Sequence, residues 1–312
     1  MSNPILALIP SGTLTQKVYS VLPSDGSGDF AFERNGKGTR VNKDGLIETI
    51  GASVDDLARL DWLNSNCPSL LIEPLRTNRQ VRSEELDNAS WSKTNTTVTA
   101  NQTTAPTGEL TADKLSRTST AANYVAGIVS KSASSQLDAV SSFFVKQGQG
   151  DFISFRAQGS YPNRADAIFQ FSTKTLTTSV AGSNFSITSS QVQDYGNGWY
   201  RLSIVYNTDT SATIQSILSP RATSGQVDAT DTSTTAFAYV WGVQFEEGST
   251  LSSYIETGSA ATTRLADVCS ITTPADVTTI TETFADNTTN IITTIPTTYT
   301  VSNGLIKKII MN

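Results

Sequence analysis

The sequence predicts an all-β protein: a jelly-roll β-sandwich with an irregular N-terminal β arm and a small C-terminal β module. Three observations predict it. Between Pro68 and about Asp267 the chain is cut into short runs of alternating apolar residues, separated by Gly, Asn, Ser and Pro turns. Helical periodicity is almost absent along the same stretch. The composition is rich in hydroxyls and poor in charge, with 39 Ser and 45 Thr in 312 residues and only 16% charged residues, unlike a typical cytosolic enzyme.

Residues 1–66 read as the arm. Ser24-Asp25-Gly26-Ser27-Gly28 separates the β-formers Lys17–Val21 from Phe30–Glu33, and Lys43-Asp44-Gly45 separates Thr39–Val41 from Leu46–Ile50. An Asp-Gly pair between β-formers signals a hairpin, because the central residues need positive φ at low steric cost. Ser53–Arg59 carries the one helical hint, with Ser53 as cap. Large apolar residues are few here, so the arm is expected to lie on its own main domain or on a partner chain.

Residues 67–267 read as the sandwich. Its strands are expected around Ser142–Lys146, Phe152–Arg156, Ala167–Phe171, Trp199–Tyr206 and Ala236–Trp241. Period-two alternation puts Phe152, Ser154, Arg156 and Gln158 on one face, with Ile153, Phe155 and Ala157 on the other. Likewise Ile168, Gln170 and Ser172 oppose Ala167, Phe169 and Phe171, while Thr213 and Gln215 oppose Ile214, Ser216 and Leu218. A polar sheet face carrying Arg156, Gln158, Gln170 and Gln215 offers the planar donors and acceptors that sugar hydroxyls need. A solvated or trimer-facing sheet is the alternative. Tyr161 in the loop Gly159–Arg164, with Asn163 and Arg164 beside its ring, suits a sugar, and Trp91 is a further candidate ring near the start of the domain. Trp199 and Trp241 lie inside strong strands and are expected in the core.

Residues 268–312 are Thr-rich, with 13 Thr in 45 residues. β-Branched runs fill Val277–Phe284, Asn290–Ile295 and Thr297–Val301. Asn303-Gly304 then leads into Leu305–Ile310, which fits a strand or a short helix, the turn favouring a hairpin. So exposed a ribbon pairs edge to edge unless something covers it, so packing between protomers is expected, with packing on its own domain as the alternative.

The chain has no histidine, which removes Ser-His-Asp and Cys-His relays, His-ligated zinc and a histidine pH switch. A net charge of −6 argues against nucleic acid as partner, since phosphates require clustered Lys and Arg. No apolar run approaches a membrane span, and the N-terminus lacks the basic region of a secretory signal. Asn35-Gly36-Lys37-Gly38-Thr39 lacks phosphate-loop spacing and reads as a turn. The acid pairs Asp55-Asp56, Glu84-Glu85 and Glu246-Glu247 point to opposite faces of any strand that holds them, so none supplies a facing carboxyl pair. No catalytic residue, metal ligand or cofactor site is identified. Cys67 and Cys269 flank the sandwich. Two buried free thiols suit assembly in a reducing cytoplasm, and a disulfide between them is the alternative.

A likeness then runs through Pro68-Ser69-Leu70-Leu71-Ile72-Glu73-Pro74-Leu75-Arg76-Thr77-Asn78, Asn88–Lys93, Thr111–Leu115, Phe143–Lys146, Asp194–Arg201, Tyr239–Ser249, Ser253–Ile255 and Thr263–Asp267, with Thr39–Glu48 upstream. These segments resemble the carbohydrate-binding-like jelly rolls of phage head fibres, vertex spikes and tail fibres, over roughly residues 30–267. The resemblance implies a trimeric appendage on the virion surface that binds host cell-surface carbohydrate. Its N-terminal arm would dock on a capsid, vertex or tail protein. It supplies no ligand residues position by position. Some relatives hold a structural calcium, but no DxDxDG-like run occurs here. A capsule depolymerase and a purely structural decoration protein are the rival functions.

Overall fold

The computed structural model describes residues 4–51, 56–63 and 65–312, and every named strand pair in it is antiparallel. The all-β expectation holds. Of the expected helix over Ser53–Arg59, residues 53–55 lie outside the described residues and 56–59 are not helical, Arg59 opening a strand instead. The chain forms two compact units, Thr77–Thr263 and a discontinuous unit made of residues 1–76 with 264–312.

Thr77–Thr263 is the sandwich. Its front sheet runs, in spatial order, Trp91–Thr94, Tyr124–Ser130, Thr213–Arg221, Phe152–Gln158, Arg164–Gln170 and Thr175–Ala181. The back sheet runs Thr96–Thr103, Ala112–Arg117, Phe237–Glu247, Asp138–Gln149, Trp199–Asn207 and Ser186–Asp194. Alternation does what the sequence predicts. Ile153, Phe155, Ala157, Phe169, Ile214 and Leu218 face Phe143, Val145, Leu202, Ile204, Val240 and Phe245 in one core. Trp199 and Trp241 are buried, each donating its indole N–H, to Thr104 O (3.0 Å) and Thr111 Oγ1 (3.1 Å) respectively. The ends of the domain meet where Thr77 Oγ1 and Thr263 Oγ1 lie 2.8 Å apart.

The arm and the terminal segment are parts of one body, which redraws the expected division at 66 and 267. Gly304–Met311 is a strand, paired with Leu6–Leu8, Ile280–Phe284 and Ser69–Ile72. Val268–Thr272 joins Phe30–Glu33 and Thr298–Thr300. The Asn303-Gly304 turn therefore does not close a hairpin. It carries the chain from the sheet holding Thr298–Thr300 to the sheet holding Gly304–Met311, because Ile306, Ile309 and Met311 share a core with Leu6, Leu8, Phe30, Leu70 and Tyr299. The two arm hairpins form as expected, Lys17–Val18 against Phe30–Glu33 and Gly38–Val41 against Ile47–Ile50, with Gly45 at φ +78°.

Five buried charges join the two parts of this unit. Arg34 Nη1 donates to Asp267 Oδ1 (2.9 Å), Arg59 donates to both Asp267 Oδ2 and Glu73 Oε2 (2.6 Å for the latter), and Arg264 Nη2 lies 3.5 Å from Glu73 Oε2. The Glu73 N–H also donates to Asp267 Oδ2 (2.9 Å). The stretches before and after the sandwich insertion are thus held side by side.

Both cysteines are free, and Cys67 is exposed rather than buried. Burial pushes the Cys269 thiol up to about 12. Titration with a thiol reagent should therefore modify Cys67 alone in the native chain and both cysteines after denaturation. Two fast-reacting native thiols would contradict the packing around Cys269.

Candidate functional site

The front sheet's outer face organises the candidate residues into cross-strand rows. In one row Ile128 lies opposite Gln215, Gln215 opposite Gln158, and Gln158 opposite Arg164. In the next, Ala126, Ile217, Arg156 and Asp166 follow one another. Segment 222–231 folds over this second row. Val227 closes a small apolar cluster on Ala126 and Ile217, as an outward Ile requires.

Arg156 lies beneath that cover and is not free for a ligand, contrary to the sequence expectation. It is 3% exposed. Its Nε donates to Asp166 Oδ1 (2.6 Å), and its two Nη groups grip Asp228 at 2.8 and 3.1 Å. Hydrogen bonds from Arg156 hold the Asp228 carboxyl below its ordinary range. Trp91 is also withdrawn. It is buried in the sandwich core, donates Nε1–H to Arg82 O (3.1 Å), and packs on Gly127, where an added Cβ would lie 2.7 Å from its ring. Gln170 is not brought to the site either, because its amide is tied to Asp151 (2.8 Å) and Ser172 (3.0 Å) at another row.

Four expected residues do come together. Gln158 and Gln215 are half-buried with their amides 3.5 Å apart, a contact weak enough to leave both able to bond elsewhere. Arg164 donates Nε–H to Asp166 (2.9 Å), and its guanidinium stands 5.8 Å from the Tyr161 ring centre. Tyr161 is 75% exposed. Its loop is anchored from below. Buried Asp209 accepts from Ser160 N (2.8 Å) and Asn163 Nδ2 (3.3 Å), and Ser211 Oγ also accepts from Ser160 N (2.9 Å). Gly159 is required, since a Cβ there would fall 2.4 Å from the Asp209 carboxylate. The site's own charges cancel, Arg156 and Arg164 against Asp166 and Asp228.

Sequence reading missed Asp166, Gln226 and Asp228. Asp166 was within reach, because it shares the outward face with Arg164 and Gln170 on one strand. Asp228 was not, lying 72 residues from Arg156.

The sandwich interior offers no alternative sugar pocket at Ser141, Phe143, Ile153, Phe155 and Leu202, where the cavity is about 10 Å3, the room of roughly one water. Among the acids, Glu84 is the one whose behaviour departs most usefully: burial raises its carboxyl to about 7. It accepts from Tyr254 Oη (2.8 Å), which lies 2.7 Å from Ser83 Oγ. Glu246 is buried and bonded to Ser252 and Gln244.

No family model matches the chain, and no curated protein matches it. Among solved structures, the chain is similar to the enzymatically active domain of tailspike protein 4 of bacteriophage CBA120, at 14% identity and TM-score 0.33, over 55% of this chain and 21% of that one. It is similar to the CBM22-1 and GH10 modules of Clostridium thermocellum endo-1,4-beta-D-xylanase 10B complexed with xylohexaose, at 14% identity and TM-score 0.32, over 59% and 30%. A third likeness is to a Bacteroides thetaiotaomicron protein assigned to sugar binding, at 9% identity and TM-score 0.31, over 54% and 95%. The matched part of this chain spans less than a third of the first two proteins. At such identities the chemistry of the site is read from this chain's own residues.

Proposed function

We propose that this chain is a glycan-binding surface protein of a phage particle, a spike or a head or tail fibre that attaches to carbohydrate on the host cell. Tyr161 carries the binding half of this reading. A ring that is three-quarters exposed, on a loop anchored by buried Asp209 and flanked by Arg164, is a pre-organised platform rather than a loose loop residue. Gln158 and Gln215 beside it supply amide donors and acceptors for sugar hydroxyls. The cancelled charges favour a neutral sugar at this site. The virion half rests on the likeness of residues 30–267 to phage fibre and spike domains.

In this reading the chain holds its ligand and carries out no bond-breaking step. Weak single sites become firm adsorption through copy number, since linked sites gain apparent affinity by about 10²–10⁴. A homotrimer would arise in the discontinuous unit, whose sheet ends on the strand Thr289–Ile292 with Ile291 exposed. Docking to a capsid, vertex or tail protein would use the N-terminal stretch, where Ile9, Leu14, Tyr19, Val21 and Leu22 are all exposed.

Tyr161→Ala should weaken single-site binding to neutral host polysaccharide about tenfold, a stacking loss of roughly 1.4 kcal/mol, with an unchanged melting temperature. Equal binding by native and variant chains would remove Tyr161 from the site. Silence on a glycan array, with normal adsorption of virions lacking the ring, would make the chain a decoration protein. Release of reducing ends from host polysaccharide would make it a depolymerase.

A further inference from the structure

The back sheet carries a second group of side chains on its own outer face, independent of the Tyr161 site. Lys114 lies opposite Tyr239, and Tyr239 lies opposite Lys146 on the next strand. Adjacent strands are about 4.8 Å apart, so the two lysine backbones flank Tyr239 at roughly 10 Å from each other. Phe237, two residues before Tyr239, shares its face, and the two rings meet edge to face at 5.6 Å. Lys114 Nζ stands 3.9 Å from the Phe237 ring centre. All four side chains are half-buried, and Thr97, Thr99, Gln147 and Gln149 around them are exposed.

Two features separate this group from ordinary solvated lysines. Phe237 is seated on the backbone of Gly148, where a Cβ would fall 2.2 Å from its ring, so the sequence leaves a space that holds the ring in place. Lys146 lies along the turn Gly196–Gly198, its Cε 3.6 Å from where a Cβ on Gly198 would be. Neither lysine is ion-paired with a carboxylate among the described residues. In a chain of net charge −6, two lysines without a carboxylate partner, on the strands either side of Tyr239, form a local reversal of sign.

We infer that Lys114, Lys146, Phe237 and Tyr239 form a second binding site, which takes an acidic glycan. The sugar's apolar face stacks on Tyr239, and its carboxylate is met by the lysine ammonium groups, that of Lys114 standing over Phe237. A neutral sugar has no use for the unpaired charge, and the acidic surface elsewhere disfavours a polyanion as large as nucleic acid. The two sheets of the sandwich thereby read different sugars, neutral on the front and acidic on the back.

The test uses the full chain on an array of uronate-containing and sialylated oligosaccharides, each printed beside its methyl ester. The acids should be retained and the esters should not, and retention should fall as salt is raised. Lys114→Gln with Lys146→Gln should reduce retention of the acids at least about tenfold while leaving the melting temperature unchanged. Tyr239→Leu should reduce it at constant charge. Tyr161→Ala should leave it untouched, so that failure of the front site and failure of this one are told apart. Equal retention of acid and ester, retention that survives the double lysine variant, or no retained acidic sugar would each overturn the site.

Discussion

Asp267→Ala is expected to unfold the discontinuous unit at temperatures where the sandwich is still native. Asp267 is buried and accepts from Arg34, Arg59 and the Glu73 N–H, with Arg264 Nη1 at 3.9 Å. Without it, Glu73 alone faces three guanidinium groups that are all almost fully buried. Burial already pushes the Arg34 guanidinium below its ordinary range, and Asp267 is the main opposing influence. Removing one partner of a buried charge network costs about 3–5 kcal/mol, because the remaining charges keep their desolvation penalty. Domains are stable by roughly 5–15 kcal/mol in total, so the loss is a large share. Cys269, buried in this unit's core, reports on it directly. Its thiol should become reactive in the variant well below the temperature at which the tryptophans of the sandwich change their fluorescence. A variant whose Cys269 stays as protected as in the native chain would show that Glu73 and the backbone suffice to hold the network.

The same network marks where the sequence stopped being readable. Local pattern was enough for the sandwich: the face assignments of Phe152–Gln158, Ile168–Ser172 and Thr213–Leu218 all match the observed core, since a strand's two faces follow from period two alone. Pairing between chain ends is another matter. Nothing in Gly304–Met311 says that its neighbours are Leu6–Leu8 and Ser69–Ile72, because register between distant strands is set by the shared core and not by either segment. The site divides the same way. Tyr161, Arg164, Gln158 and Gln215 were legible as loop and outward-facing residues. Arg156 looked equally available, and became structural only because segment 222–231 covers its row. Ile217 was the overlooked sign, an outward apolar residue in a strand otherwise patterned for solvent. Trp91 had a comparable sign in Gly127, the cross-strand partner that makes room for its ring.

Glu84→Gln is expected to raise the stability of the sandwich at alkaline pH and leave it unchanged in acid. Burial first, then the neighbouring charges of Glu256 and Glu85, lift this carboxyl from 4.5 to about 7, against the hydrogen bond from Tyr254. A carboxyl raised in the folded state favours folding while it is protonated. Its contribution is therefore complete below the unfolded value of 4.5 and is lost as pH rises through about 7. The shift corresponds to roughly 3 kcal/mol at most, or on the order of 10 °C in melting temperature for a domain of this size. Asp113, raised by burial from 3.8 to about 6, adds a slope of the same sign at slightly lower pH, so the native sandwich should melt progressively earlier from about pH 4 to about pH 7. The variant, with no charge to bury, should lose the upper part of that slope and keep the lower part due to Asp113. Melts followed by tryptophan fluorescence across this range decide the matter, and parallel curves for native and variant would mean that Glu84 is solvated. The outcome also bears on chemistry. A carboxyl whose removal stabilises the fold and leaves sugar binding intact is a by-product of packing beside Tyr254, whereas a poised general acid would be missed in an assay of polysaccharide cleavage.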